Sequence, residues 1–450
     1  MKKEWLLLVA TVIVTIMLAI GLIRLFVPQL LGIPVDLQMV QLEKTLPPFY
    51  DGVFRHPDPD ETGFLLKDPV TSVRNRPFLV SRQGLAGPHD ILGFRNRQVP
   101  NVADIVIIGD SQTYGTNVIL SANWPSQMRH TLKKKYARKP VVYAMATGGW
   151  GAIQYLDMAD KAMAFKPRIL VVAFYSGNDP LESFLLAYNT QQWQWLIPDH
   201  SITASDAPTF AFPAPESEWW PVEFSDGTKT IFTPYLRHGA NDGNLAANAG
   251  YAIMEKVARL ISEKAAQNGV HTVFTIIPTK ELVYAEKVRQ DNLDVPDKYL
   301  ALIRDEEKNI HQLASTLAQL PNTSYVDVTS ALQEAAMDAR PLYPQNINGH
   351  PITAGYRVIG ETVSTTINPH LPPKPAPGLV ALSQENGTYE PILITEKGWW
   401  HFISMEILHA NNWKLNKETR VPAFGDRDIA DLEYLGVIDR IAPAEFGPHN

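Results

Sequence analysis

The stretch DIVIIGDSQTYG, residues 104–115, decides the fold. Its first half is a short β-branched run, which is typical of a strand buried on both faces of a parallel sheet. Its second half consists of turn and helix-capping residues, and Ser111 stands where the strand ends and a helix begins. The stretch therefore predicts a strand–turn–helix unit with Ser111 at the carboxyl end of a buried strand.

The same pattern recurs along the chain. Four further apolar runs with helical stretches between them predict strands: PVVYAMA (140–146), RILVVAFY (168–175), VHTVFTIIP (270–278) and SYVDVT (324–329). Strands that alternate with helices in this way predict an α/β fold with a doubly wound parallel sheet. Because ligands in such folds bind where loops leave the carboxyl ends of the strands, those loops are where chemistry is expected.

The composition excludes several classes of protein. The chain of 450 residues has 40 Lys and Arg against 47 Asp and Glu, and 40 − 47 gives a net charge of −7. This balance argues against broad binding to a phosphate backbone, so no nucleic acid partner is expected. Cysteine is absent, which excludes disulfides, thiolate metal sites and a cysteine nucleophile. The histidines are scattered and no HExxH pair occurs, so we expect no metal and no cofactor.

Four loops carry polar residues in an order that suits acyl chemistry. They are GDSQTYG (109–115) with Ser111, ATGGWG (146–151) with Gly149, YSGNDP (175–180) with Asn178, and NINGHPITAGY (346–356) with His350. Each has a structural alternative, because serine often caps helices, asparagine often shapes turns, and glycine-rich turns are common. All four loops are nevertheless predicted at the same end of one sheet, which favours a shared site.

These blocks resemble those of the SGNH/GDSL hydrolases, a family of serine esterases and acyl-transfer proteins on a flavodoxin-like sheet. The resemblance extends over about residues 88–370, and LGFRNRQVP (92–100) and IIPTKELVY (276–284) are similar to segments of membrane-anchored bacterial members. The second block departs from the family, since Ala144 replaces its usual leading Asn.

The resemblance implies a role for each block residue. Ser111 is expected to be the nucleophile and His350 the base. The backbone N–H groups of Ser111 and Gly149 and the side chain of Asn178 are expected to form the oxyanion hole. An acylated glycan or a small ester is the expected substrate, and neither hydrolysis nor acyl transfer is favoured by the residues themselves.

The expected triad acid is missing. Members of the family place an Asp two or three residues before the base, where this chain has Asn348 and Ile347. In a serine-protease triad the change from Asp to Asn lowers kcat by about 10⁴. Three hypotheses follow: His350 works in a dyad with Ser111, another acid such as Asp327 orients it, or the site has lost hydrolysis and retains binding.

The N-terminus predicts a membrane anchor. Residues 5–23 contain nineteen uncharged residues, which span about 28 Å as a helix and match the hydrocarbon thickness of a bilayer. Lys2 and Lys3 favour a cytoplasmic N-terminus, and no small-residue cleavage site follows the span. We therefore expect a single-pass protein of the cell membrane whose bulk is periplasmic or extracellular.

The remaining boundaries follow from changes in composition. We divide the chain into an anchor (1–27), a linker and lead-in (28–87), a hydrolase-like domain (88–370) with an insertion (181–244), and a small accessory module (378–450). The insertion is rich in aromatic residues, which form either a lid or a satellite core, and Trp193 and Trp195 are the lid candidates. Together with the predicted anchor, the family resemblance implies an anchored serine esterase or acyltransferase acting on an envelope glycan. The alternative is a catalytically weakened protein that binds a polysaccharide or an envelope partner.

Overall fold

A computed structural model of the chain describes most of its central part. The described residues are 53–54, 63–81, 83–209, 211–240, 243–372, 378–383, 389–395, 398–402, 407–408, 423–425 and 434–438. The chain divides into two compact units, Met1–Asn368 and Pro369–Asn450.

The helices and strands of the first unit follow the predicted alternation. In chain order they are β1 (Leu65–Asp68), β2 (Ser72–Asn75), β3 (Ile105–Gly109), α1 (Ser111–Tyr114), α2 (Trp124–Tyr136), β4 (Val142–Ala146), α3 (Ala152–Ala162), β5 (Ile169–Tyr175), α4 (Asp179–Asn189), β6 (Trp220–Glu223), β7 (Lys229–Phe232), α5 (Leu245–Gln267), β8 (His271–Ile277), α6 (Lys280–Val283), α7 (Ala285–Gln290), α8 (Asp297–Ala318), β9 (Thr323–Val326), α9 (Val328–Ala336) and α10 (Thr353–Ile367).

Five parallel strands form the central sheet in the order β4-β3-β5-β8-β9. Numbered along the chain, this is the order 2-1-3-4-5 of flavodoxin-like folds, so the predicted fold class is confirmed for the sheet. Every residue of β3 and β5 is buried, as expected of strands covered on both faces. The order reverses beside β3, which puts the loops after β3, β4 and β5 at the switch point where such folds bind ligands.

Two sets of helices cover the sheet. α2 packs against α10, which also packs against α9, while α5 packs against α3 and α4. The connections β3–α2–β4 and β4–α3–β5 run in opposite directions across the sheet, and right-handed crossovers therefore place α2 and α3 on opposite faces.

The hydrolase-like domain begins earlier than predicted. Strands β1 and β2 form an antiparallel hairpin inside the segment that we expected to be a linker and lead-in. The indole N–H of Trp150 donates to the carbonyl of Val73 at 2.7 Å, and the Asn75 amide donates to the carbonyl of Ala146 at 2.9 Å. Since these bonds join the hairpin to the last residue of β4 and to the loop that follows it, residues 65–75 belong to the domain. Periodicity did not reveal them because each strand has only four residues.

The predicted anchor, residues 1–27, lies outside the described residues. Within the part of the chain that the structure describes, no helix has both the length and the apolar character needed to cross a membrane.

The second unit is a five-stranded sheet. Its strands are β10 (Gly378–Ser383), β11 (Tyr389–Ile394), β12 (Trp399–Phe402), β13 (Ala423–Gly425) and β14 (Tyr434–Ile438), in the order β13-β10-β11-β12-β14. Trp399 packs on a buried cluster of aliphatic side chains from β10 and β11, so its role is in this small core.

Candidate active site

Ser111 lies at the turn between β3 and α1. The turn is tight because a side chain at Gly109 would overlap with Thr113 and crowd the carbonyl of Ala173. Asp110 caps α1, and its Oδ1 accepts the N–H of Gln112 at 2.9 Å. Ser111 itself is the first residue of the helix and is partly accessible, so it is not the capping residue. Its hydroxyl is therefore free for other partners.

The structure brings Ser111 and His350 together. Nε2 of His350 lies 2.8 Å from Oγ of Ser111, although 239 residues separate the two in sequence. His350 stands in the loop before α10, and its side chain is partly accessible. The distance is that of a hydrogen bond between a nucleophile and its base.

A neutral amide stands behind the imidazole. Oδ1 of Asn348 lies 2.7 Å from Nδ1 of His350 and also accepts the backbone N–H of His350 at 3.0 Å. Nδ2 of Asn348 donates to Oδ1 of Asn117 at 2.8 Å, and Nδ2 of Asn117 donates to the carbonyl of His350 at 3.2 Å. Asn348 thus occupies the place of the missing acid.

Asp327 is not the orienting acid. It is exposed at the N-terminus of α9, where Oδ1 accepts the backbone N–H groups of Thr329 at 2.9 Å and Ser330 at 3.2 Å. Its other oxygen accepts the Ser330 hydroxyl at 2.5 Å. The hypothesis that Asp327 stands behind His350 is therefore wrong, because its carboxylate caps the helix that follows β9.

A buried ion pair lies next to the histidine loop. Nε of Arg237, from the insertion, donates to Oε2 of Glu281 at 2.8 Å, and both side chains are almost fully buried. A side chain at Gly349 would overlap with Nη2 of Arg237, so the guanidinium lies directly against the loop. Loss of hydration around the ring and the positive charge of Arg237 lower the pKa of His350 to about 4. The imidazole is therefore neutral at physiological pH and is a weak base.

Three carboxyl groups near the nucleophile influence one another. Burial raises the pKa of Asp110 to about 7. Burial and the charge of Asp110 raise the pKa of Glu182 to about 7 and that of Asp179 well above its usual range. Oδ2 of Asp110 lies 3.2 Å from Oγ of Ser111, so it is a second, weaker partner for the hydroxyl. The group is an acceptor when ionised and a donor when protonated.

The oxyanion-hole candidates come from the two neighbouring loops. A Cβ at Gly148 would lie 3.8 Å from the Cβ of Ser111, which places the loop after β4 beside the nucleophile. Gly149 has a φ of 76° and faces open space, a backbone conformation that favours glycine. The role of the Gly149 N–H as a donor in the oxyanion hole stays a prediction.

Asn178 is held at the end of β5. Oδ2 of Asp179 accepts the backbone N–H of Tyr175 at 2.8 Å, which closes the turn around Asn178. From the other side, Gly239 of the insertion donates its N–H to the carbonyl of Gly177 at 3.2 Å. The side chain of Asn178 does not cap α4 and is partly accessible. Its role as an oxyanion donor stays a prediction.

The lid interpretation of Trp193 is wrong. The side chain is 7% exposed, and its indole N–H donates to the carbonyl of Val70 at 2.9 Å, so it fastens the insertion to the lead-in hairpin. Trp195 is 53% exposed but packs with its ring 5.2 Å from Nζ of Lys256 on α5. The aromatic residues of the hairpin β6–β7 likewise pack against neighbouring helices, for example Trp220 on Tyr299 at 4.7 Å. The satellite-core alternative therefore describes Trp193 and the hairpin residues better, while the lid role of Trp195 stays a prediction.

Sequence reasoning missed Asn117 and Arg237. Asn117 lies six residues after Ser111, and only its position next to the first block pointed to it. Arg237 lies in an insertion without recognisable periodicity, whereas its partner Glu281 belongs to the IIPTKELVY run that resembled other family members. Among the described residues, no group of three or more His, Asp or Glu side chains could hold a metal ion.

No protein-family model matches the chain, and no curated protein matches it. Solved structures that are similar include TesA, at 14% identity, a TM-score of 0.33, and coverage of 59% of this chain and 99% of that one. A GDSL-like lipase from Bacteroides thetaiotaomicron has 13% identity, a TM-score of 0.29, and coverage of 59% and 88%. An acetylxylan esterase from Geobacillus stearothermophilus has 12% identity, a TM-score of 0.32, and coverage of 59% and 94%. The strand order 2-1-3-4-5 and the four loops at its carboxyl edge are those that the family resemblance implied, and the chain is similar in fold to the SGNH/GDSL hydrolases.

Proposed function

We propose that this protein is a serine ester hydrolase or acyltransferase with Ser111 as its nucleophile. The observation that carries the proposal is the row of hydrogen bonds from Oγ of Ser111 to Nε2 of His350 at 2.8 Å and from Nδ1 of His350 to Oδ1 of Asn348 at 2.7 Å. A nucleophile, a base and a group that orients the base are the parts that covalent acyl transfer needs.

The reaction follows from these positions. Oγ of Ser111 bonds to the ester carbonyl carbon while its proton passes to Nε2 of His350 and the carbonyl electron pair moves to oxygen. The N–H groups of Ser111 and Gly149 and the side chain of Asn178 are the proposed donors to that oxyanion. The imidazolium then protonates the departing alkoxide. Attack by water on the acyl-enzyme gives hydrolysis, and attack by a sugar hydroxyl gives transfer.

The uncharged span at residues 5–23 supports attachment to the cell membrane, with the catalytic domain outside the cytoplasm. Such a location would put the site among envelope glycans, and we propose their acyl groups as the substrate. Full-length protein should sediment with membranes, and a form lacking residues 1–27 should be released. Retention of the shortened form in the membrane fraction would rule out this segment as the sole attachment.

A second function is favoured by one feature of the site. Asn348 brings no negative charge to His350, and burial together with the nearby cation Arg237 lowers the pKa of His350. Both effects disfavour the imidazolium that forms during catalysis. A protein that binds an acylated polysaccharide in this cleft without cleaving it is therefore the alternative.

A fluorophosphonate probe separates the two functions. We expect it to label the full-length protein at Ser111, to fail with Ser111→Ala, and to label Ser315→Ala, an exposed serine on α8, as well as the unaltered chain. An absence of labelling from about pH 5 to about pH 9 in folded protein would contradict the enzyme and leave the binding function.

A further inference from the structure

An asparagine behind a catalytic histidine has a right and a wrong orientation, unlike a carboxylate. With its oxygen towards Nδ1, the amide accepts the Nδ1 proton and leaves a lone pair on Nε2 for the proton of Ser111. With its NH₂ group towards Nδ1, the proton moves to Nε2, and the ring cannot act as a base. This wrong tautomer is the main reason why the change from Asp to Asn is so costly in a serine-protease triad. The question is therefore what holds Asn348.

Backbone groups of His350 determine the orientation of both amides. The His350 N–H can only donate, so the atom of Asn348 that lies 3.0 Å away must be its oxygen. The His350 carbonyl can only accept, so the atom of Asn117 that lies 3.2 Å away must be its nitrogen. The remaining ends of the two amides then meet as donor and acceptor at 2.8 Å. If either side-chain amide were flipped, two donors or two acceptors would face each other.

Asn117 is itself held firmly. Its φ is 76°, a left-handed conformation that asparagine tolerates better than most residues. Arg95, only 2% exposed, donates to the carbonyls of Tyr114 at 3.1 Å, Gly115 at 2.7 Å and Val118 at 2.7 Å, on both sides of Asn117. The buried guanidinium thus fixes the loop that joins the nucleophile to Asn117.

We infer that Asn117 is a positioning residue, which locks Asn348 in the orientation that keeps the His350 proton on Nδ1. The catalytic importance of this role rests on the proposed function. The tautomer of His350 does not depend on that function. The pair Asn117–Asn348 takes over the orienting work of the triad acid without supplying its charge. The proton of Ser111 still passes to Nε2, and both amides stay neutral throughout.

A double-mutant cycle tests this role. In the native background, Asn117→Ala removes one hydrogen bond that holds the orientation, and we expect roughly a tenfold lower kcat on an aryl acetate with little change in KM. In the Asn348→Asp background, the same substitution should cost nothing or should raise kcat, because a carboxylate offers an acceptor to Nδ1 at either end and its other oxygen would face Oδ1 of Asn117. An equal loss in both backgrounds would show that Asn117 only supports the fold, and would overturn the inference.

Asn292→Ala is the matched control, since Asn292 also has a positive φ of 50° but is exposed at the end of α7. It measures the cost of alanine in this conformation away from the site. We expect it to leave kcat unchanged, and a tenfold loss in this variant as well would overturn the positioning role.

The tautomer of His350 can also be determined without an activity assay. In full-length protein with ¹⁵N-labelled histidine, the His350 signals are assigned by their loss in His350→Gln. We expect a protonated Nδ1 in the native protein and a mixed or reversed tautomer in Asn117→Ala. The same tautomer in both would overturn the inference, even if Ser111 hydrolyses esters. If no ester is cleaved, the proposed function fails and this spectrum alone decides the role of Asn117.

Discussion

Nδ1 of His350 lies 2.7 Å from Oδ1 of Asn348, so the imidazole that we propose as the base is oriented by a neutral amide. A carboxylate in that place has two effects, as it selects the tautomer of the imidazole and stabilises its positive charge. The amide preserves the first effect and loses the second. Arg237, which lies close to Gly349 of the same loop, acts against the second effect because it is also a cation.

Restoring the acid should raise activity. We expect Asn348→Asp to raise the pKa of His350 above its present value of about 4 and to raise kcat on an aryl acetate at least about tenfold. The carboxylate would favour the imidazolium that forms as Ser111 attacks. Stopped-flow or steady-state hydrolysis at neutral pH measures the gain. Asn292→Asp, which adds the same charge at an exposed position, should change nothing. An unaltered rate both in Asn348→Asp and in Asn348→Asp with Asn117→Ala, where Oδ1 of Asn117 no longer faces the new carboxylate, would contradict the assignment of Asn348 to the acid's place.

The pH profile of kcat/KM of the native protein should be shifted towards acidic pH. Because the pKa of His350 is lowered to about 4, the base is already neutral above about pH 5, and kcat/KM should rise through about pH 4. Any further change near pH 7 would follow the ionisation of Asp110, which contacts Oγ of Ser111 and has a pKa of about 7. A profile of kcat/KM, or of the rate of fluorophosphonate labelling, tests this. The absence of an inflection near pH 4 would contradict it.

The cause of this shift can be tested by removing the buried ion pair. Replacing Arg237 alone would leave Glu281 buried and unpaired, which typically destabilises a protein strongly. We therefore choose Arg237→Gln together with Glu281→Gln. Loss of the cation should move the inflection to higher pH, and an unmoved inflection would mean that desolvation alone sets the pKa of His350.

Asn178 should matter for the rate more than for binding. If its amide donates to the oxyanion, Asn178→Ala should lower kcat by about 10²–10³ with a small change in KM. Asn189→Ala, at the exposed end of the same helix α4, is the matched control. A loss below about threefold would remove Asn178 from the oxyanion hole.

The sequence predicted the reacting pair but not its surroundings, for a physical reason. Ser111 follows a strand pattern that periodicity reveals, and both Ser111 and His350 lie in blocks that resemble those of the SGNH/GDSL hydrolases. Parallel strands bring their carboxyl ends to one edge of the sheet. Asn117 and Arg237 lie on irregular segments, whose paths depend on single hydrogen bonds such as those of Arg95. Trp193 shows the same limit, since aromatic composition does not tell which way a side chain faces.

The buried carboxyl groups should make the protein more stable in mild acid than at neutral pH. Burial and the charge of Asp110 raise the pKa of Glu182 from 4.5 to about 7, so between these values the folded state binds a proton that the unfolded state lacks. The contribution of Glu182 to stability is thus present below about pH 4.5 and is lost as the pH rises through about 7. Asp110 acts in the same direction, whereas the lowered pKa of His350 acts in the opposite one.

Glu182→Gln isolates this contribution. The amide cannot ionise, so the variant should gain unfolding temperature relative to the native protein at about pH 8 and gain little or nothing at about pH 5. Thermal unfolding followed by tryptophan fluorescence at both pH values measures the difference. Glu263→Gln, an exposed glutamate on α5, should behave alike at both. If Glu182→Gln instead lowers the unfolding temperature equally at both pH values, the Glu182 side chain is ionised and well paired in the folded state. The interpretation of Glu182 as a neutral buried acid would then be wrong.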